Sequence, residues 1–316
     1  MSENKSCPFR TSIGGQALIE GILMRGPSLQ AIVCRTKDGL VEKTEELRFI
    51  KDRYPILGWP LIRGCATFLD SLVKGMKALM YSAELIPPEE QGEPDKLDAW
   101  IEAHFPEDKA QKLIIGTAVV LGIALALFLF IFLPTLLIGL FPVLTKNHIT
   151  RSLCEGVLKI LILLLYMLLS SRMKDIRRVF SYHGAEHKTI FCYENRLPLT
   201  VENVRKQSRF HPRCGTSFLL VVVVVSILVN SLVRLDNSFI RMLCHLLLLP
   251  AVVGISYEIN RWCGKHDNFL SRTLSAPGKW LQRITTNEPD DSMIECAIRA
   301  LELVIPEVEG SDLWGE

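Results

Sequence analysis

Residues 113–141, LIIGTAVVLGIALALFLFIFLPTLLIGLF, carry no charged side chain. About 20 apolar residues wound as a helix cross the roughly 30 Å of a bilayer's hydrocarbon core, so this run is long enough to span with tilt. Pro134 should kink that helix or mark its end. Three more runs follow. Residues 153–171 form the second, with Glu155 and Lys159 in its first turns at a spacing that lets them pair. Residues 216–235, with five consecutive valines, form the third, and 240–258, carrying His245, the fourth. A mid-span histidine is read here as neutral and hydrogen-bonded to a neighbouring helix. The short breaks make two helical hairpins. A mean hydropathy of +0.25 with 49% hydrophobic residues is concentrated in these runs. The expected fold is an α-helical integral membrane protein with four transmembrane helices and a mixed α/β cytoplasmic part.

Lysine and arginine set the orientation. Residues 172–213 hold ten of them, whereas the two short loops offer Lys146 and Arg151, and Arg234 and Arg241. The positive-inside rule places the middle loop in the cytoplasm, and an even number of spans places both termini there too. That excludes a secreted metalloprotease. A net charge of +2 gives no reason to expect nucleic acid as a partner. Residues 1–10 are polar and do not read as a signal peptide. Nine cysteines without a C-x-x-C pair read as reduced thiols.

Inside the middle loop, residues 181–194 read SYHGAEHKTIFCYE and contain His183, Glu186 and His187 as H-x-x-E-H. On a helix, side chains three and four apart share a face, so two imidazoles and a carboxylate converge there. Zinc hydrolases of the inverted type use this order, with the histidines on the ion and the glutamate taking a proton from water. Gly184 weakens the helix that this needs. The plainer alternative is a solvated helix face.

The same loop closes on FHPRCGT at 210–216, where His211 and Cys214 supply a second pair of donors and Arg213 a further contact. The plainer alternatives are a histidine at a helix start and a buried small thiol. Glu258, at the end of the fourth run, is a third arrival at that depth, with Arg261 its alternative partner.

Ahead of the membrane, residues 13–27, IGGQALIEGILMRGP, are glycine-rich, and turn chemistry with a paired surface charge is the favoured reading. The functional alternative is a loop that reaches into the site with Glu20 or Arg25 as polar contacts. Residues 31–36 and 40–47 flank Asp38-Gly39 as a β-hairpin. The 60–83 stretch has helical apolar spacing too charged to span, and packing on the neighbouring domain is favoured over lying at the membrane surface. An acidic, proline-containing linker at 87–96 and a brief amphipathic turn at 98–105 lead to the bilayer. After the spans, 277–282 starts an amphipathic piece with Trp280, and Ser292 with Glu295 caps a helix that Pro306 ends. The resulting division is 1–86, the N-terminal region; 87–112, linker; 113–171, first hairpin; 172–215, the H-x-x-E-H loop; 216–259, second hairpin; and 260–316, C-terminal amphipathic helices.

The segments GGQALIEGILMRGP, YHGAEHK, LTVENVRKQSRFHPRCGTSF and PGKWLQRITTNEPDD together closely resemble the bacterial YqhQ family. The resemblance implies a membrane protein of a family of unknown function, described as predicted metal-dependent enzymes. It also implies that these segments assemble one site. The leading expectation is a metallohydrolase of the bacterial cytoplasmic membrane: His183 and His187 bind zinc or a similar divalent ion, Glu186 is the general base, and His211, Cys214 or Glu258 completes the coordination. Its substrate would be membrane-borne, a peptide segment or a lipid. The rivals are a non-enzymatic assembly or regulatory protein with a structural site, and a transporter subunit.

Overall fold

A computed structural model describes residues 9–48, 54–87, 100–101, 104–266, 268–308 and 310–314. The linker at 87–96 and the turn at 98–105 fall largely outside these residues. The chain forms two compact units, one of Met1–Leu85, Tyr166–Val225 and Pro250–Glu316, the other of Ile86–Leu165 and Ser226–Leu249.

The first unit is built on a four-stranded antiparallel sheet in chain order. Its strands are β1 (Gly14–Leu18), β2 (Gly21–Arg25), β3 (Leu29–Thr36) and β4 (Gly39–Glu46). The Asp38-Gly39 hairpin forms, with Thr36 paired to Gly39 and Gly39 at φ 128°. The glycine-rich stretch is a second hairpin, turning at Ile19-Glu20 with Glu20 at φ 50° and paired to Arg178, in line with the turn chemistry and paired charge expected there. Its glycines allow close approach. A Cβ on Gly15 would lie 2.7 Å from the Leu23 carbonyl oxygen, and one on Gly21 2.5 Å from Cys34 Sγ.

Alternation along the strands gives the sheet two buried faces. Ile22, Met24, Ala31 and Val33 join one core, and Leu18, Leu23, Ile32 and Cys34 the other. Helix α1 (Ile62–Glu84) covers the second face through Gly75, Ala78 and Ser82. Its large side chains are not the packing face, for Leu69, Leu72 and Val73 remain exposed. Small residues let the backbones approach, so the expectation that this apolar stripe packs inward is reversed. At its start, a Cβ on Gly64 would sit 2.7 Å from Tyr257 Cβ.

Among the described residues, further helices follow, some of them short. Helix α2 (Glu107–Leu127) continues through a π-turn at Phe128–Phe132 into α3 (Leu133–Gly139). The wide turn accommodates Pro134, which neither ends nor breaks the run. After the short α4 (Pro142–Thr145) come α5 (His148–Ser170), α6 (Lys174–Glu194), the short α7 (Val201–Arg205), α8 (Gly215–Ser231), α9 (Ser238–Lys265), α10 (Phe269–Thr285) and α11 (Asp291–Glu302). Among the described residues three helical stretches are long and apolar enough to cross a membrane, Leu113–Gly139, His148–Ser170 and Ser238–Lys265. Helix α8 is apolar but has 17 residues. It stops at Ser231, short of the expected 235, because backbone carbonyls beyond it serve arginines: Val233 accepts from Arg241 and Asp236 from Arg151.

In the second unit the hydrogen bonds of Glu155 go to arginines rather than to Lys159. Its carboxylate accepts from Arg151 and, across to α9, from Arg241. His245 is buried with neither ring nitrogen hydrogen-bonded, unlike the expected inter-helix bond.

Helix α11 docks on the first sheet face with Ile294, Ala297 and Leu301 fully buried, each worth about 1.5–3 kcal/mol for the larger side chains. Its cap is Asp290 rather than Ser292, accepting from the Met293 amide. Helix α10 begins earlier than expected, at an Asn268–Ser271 capping box, and carries Pro277 inside it.

Candidate metal centre

Helix α6 packs into the core with Tyr182 and Ala185. Gly184 then has a purpose. A Cβ there would lie 2.0 Å from the Asn287 carbonyl oxygen, so the glycine lets the 285–287 backbone run flat against the helix. The Asn287 amide donates to Phe180 O at 2.9 Å, and the Thr285 carbonyl meets His183 Nδ1 at 2.9 Å. One turn on, His187 Nδ1 meets the Arg209 carbonyl at 2.6 Å. A carbonyl only accepts, so both Nδ1 atoms carry hydrogen and both Nε2 atoms are left for an electrophile.

Cys214, just before α8, supplies the third donor. Its Sγ lies 3.1 Å from His183 Nε2, and ligand atoms of His183, His187 and Cys214 all fall within 4.8 Å of one another. Tetrahedral zinc with ordinary bond lengths separates such atoms by roughly 3.3–3.7 Å, within the range these side chains bracket. Thr216 donates to the sulfur from both its amide (3.5 Å) and its hydroxyl (3.3 Å). Burial opposes a thiolate at Cys214, yet the imidazoles of His183 and His187 outweigh it and hold the thiol well below its usual range. Burial likewise opposes charge on His183, and the Cys214 sulfur overrides it, raising its pKa to about 9. The two share one proton, the kind of proton that metal binding releases.

Glu186 faces the same cluster from between the histidines. One oxygen accepts from the Gly15 amide at 3.1 Å, and the other is buried without a hydrogen-bond partner. Burial pushes its carboxyl above the usual range, against the two neighbouring imidazoles. The β1–β2 hairpin is held in register with α6 by Glu20, whose carboxylate accepts from Arg178 and Tyr182. Glu20 therefore positions the strand that carries Gly15.

The remaining candidates are distributed around or away from the three donors. His211 is a neighbour, its ring 5.5 Å from that of His187, with its backbone clamped in both directions by the Gln282 amide. Its Nε2 is 3.5 Å from Glu194, and burial drives its pKa down to about 4, so it stays neutral. Arg213 donates to the buried Glu194 carboxylate, which also accepts from the Thr11 amide at 2.9 Å. Arg25 shares its strand face with Leu23, the face that meets α1, and its Nε lies buried without a hydrogen-bond partner. Glu258 is held elsewhere: Arg63 grips it, with Nε at 2.7 Å, instead of the expected Arg261. Glu258→Gln should therefore leave the metal content of the purified protein unchanged, and a loss of metal would return that carboxylate to the ligand set.

Sequence reasoning missed Thr285, Arg209 and Gly15 because they act through backbone atoms, which leave no side-chain signature. Gln282 and Glu194 lie in stretches already singled out, but their partners are far away in the chain.

Residues 59–307 match the family model described as "Protein of unknown function (DUF1385)". The chain is 34% identical over 306 residues to "Uncharacterized protein YqhQ" of Bacillus subtilis (strain 168), covering 95% of this chain and 93% of that protein. No solved structure matches. With the family model spanning most of its length and a relative aligned nearly end to end, the chain belongs to the YqhQ family of DUF1385 proteins.

Proposed function

We propose that the chain is a metal-dependent hydrolase of the bacterial cytoplasmic membrane. His183, His187 and Cys214 hold a divalent ion and Glu186 is the general base. The reading is carried by the convergence of three donor atoms within 4.8 Å, both imidazoles being oriented by carbonyls on Nδ1. Two imidazoles and a thiolate are the donor set of zinc, with a fourth position left for a water or substrate oxygen. When bound, such an ion supplies Lewis acidity at that position. Glu186 does the proton work: its Gly15-bound oxygen fixes the carboxylate, and its unpartnered oxygen takes the proton from water as it attacks a carbonyl or phosphoryl centre. The same group then returns the proton to the leaving atom. Neutral His211 and the Glu194–Arg213 pair wall the donors on the far side of His187.

The membrane reading rests on the three long apolar helical stretches, with α8 as a fourth, short span of roughly 26 Å at 1.5 Å per residue. Four spans and the ten basic residues at 172–213 put both termini in the cytoplasm. Cys214 directly precedes α8 and His183 lies in the helix that follows α5. A centre at that depth suits a membrane-borne substrate, a peptide segment or a lipid.

Glu186→Gln is the test. The variant should keep its metal and lose activity, read as rescue of cells lacking the gene, by roughly a hundredfold or more. Undiminished rescue would favour the non-enzymatic assembly reading, in which ligands matter and a base does not.

A further inference from the structure

A second charged cluster lies in the first compact unit, at the end of α9. Arg63, Glu258, Arg261, Trp262, Lys265 and His266 line a cavity of about 230 Å³. Arg63 is committed to Glu258 by an ion pair, and Arg261 adds to the electrostatic field on the same carboxylate, so one carboxylate serves both arginines while Lys265 adds a third cation to the lining. Three permanent cations against one carboxylate leave two positive charges in excess. The cavity is smaller than the roughly 300 Å³ at which pockets for whole small molecules begin, so it takes a headgroup-sized anion. Trp262 stacks on His266 at 4.8 Å and closes one wall with an aromatic face. Directly before Arg63 in the chain, Trp59, Leu61 and Ile62 are all exposed.

We propose that this pocket binds the phosphate of an anionic glycerophospholipid. Arg261 forks onto the phosphate oxygens and Lys265 adds a point charge, while the acyl chains lie along Trp59, Leu61 and Ile62. Free phosphate esters share the headgroup chemistry. The apolar residues beside the pocket, and its place at the end of a 28-residue apolar helix, select the lipid as the source. That choice rests on the membrane reading above, whereas the charge excess does not.

The full chain in neutral detergent would be titrated with phosphatidylglycerol, phosphatidylcholine and glycerol 3-phosphate, with bound species counted by native mass spectrometry. Each interfacial cation contributes roughly fivefold in binding, so Arg261→Gln/Lys265→Gln should weaken phosphatidylglycerol about thirtyfold and leave phosphatidylcholine unchanged. Glu258→Gln removes the single opposing charge and should strengthen phosphatidylglycerol about fivefold. Wild-type binding by the double variant, or equal retention of the two lipids, overturns the proposal. Displacement of phosphatidylglycerol by equimolar glycerol 3-phosphate overturns the lipid source. Recovery of the chain in buffer without detergent would instead overturn the membrane reading, and unchanged metal content in the variants separates a lost phosphate site from a lost fold.

Discussion

His187→Ala is expected to lower metal affinity by more than a hundredfold. Loss of an outer partner of a metal-binding histidine typically costs 10–100-fold, and His187 is one of only three donors in the set. His183→Ala should do as much, because each ring is oriented in the same way, through Nδ1 on a backbone carbonyl. Elemental analysis of detergent-purified protein, after competition with a chelator of known affinity, reads the effect. Wild-type metal in His187→Ala would remove the centre from consideration. Cys214→Ser is the informative companion. It keeps the size of the side chain but gives up the thiolate that Thr216 supports with two hydrogen bonds. It should shift preference away from zinc toward harder ions.

Gly184→Ala should be among the most destabilising single-methyl changes in the chain. Helix propensity alone favours alanine by about 1 kcal/mol. Here the added carbon would sit 2.0 Å from the Asn287 carbonyl oxygen, a backbone atom that cannot rotate away. Overpacking of this kind costs roughly 3 kcal/mol, so the net result is a loss of stability. It should also loosen the metal, because Thr285 belongs to the displaced segment. Thermal unfolding in detergent, followed alongside metal content, tests both. An alanine variant as stable as the wild type would mean that the 285–287 segment does not lie against α6 as described.

Much of this was legible in the residues. Charge-free letters at 113–141 announced a long apolar helix, and H-x-x-E-H announced two imidazoles and a carboxylate brought together on one helix. Of the H-x-x-C pair, only the cysteine comes within ligand distance of His183 and His187. Glycine was read correctly once and misled once. At 13–27 the turn with a paired charge forms, Glu20 turning the hairpin and pairing with Arg178, while Gly15 and Gly21 are strand residues whose missing side chains admit the Leu23 carbonyl and Cys34. At 184 it read as a weak helix, although it admits a crossing backbone. Glu258 was misplaced because its partner, Arg63, lies 195 positions away, and no local spacing reports a contact of that range. The third apolar run read four residues too long because Leu232, Val233 and Leu235 are apolar letters, while the Val233 carbonyl accepts from Arg241 and the Asp236 carbonyl from Arg151.

The Gly15 amide on the Glu186 carboxylate has a consequence for how the protein comes into being. The donor and its acceptor are 171 positions apart, and the carbonyl that orients His183 lies 102 positions after that histidine. A nascent chain therefore leaves the ribosome with its first hairpin waiting. Until the residues around Thr285 have emerged, a half-made molecule has both imidazoles of the helix but not the carbonyl that holds the His183 ring in its orientation.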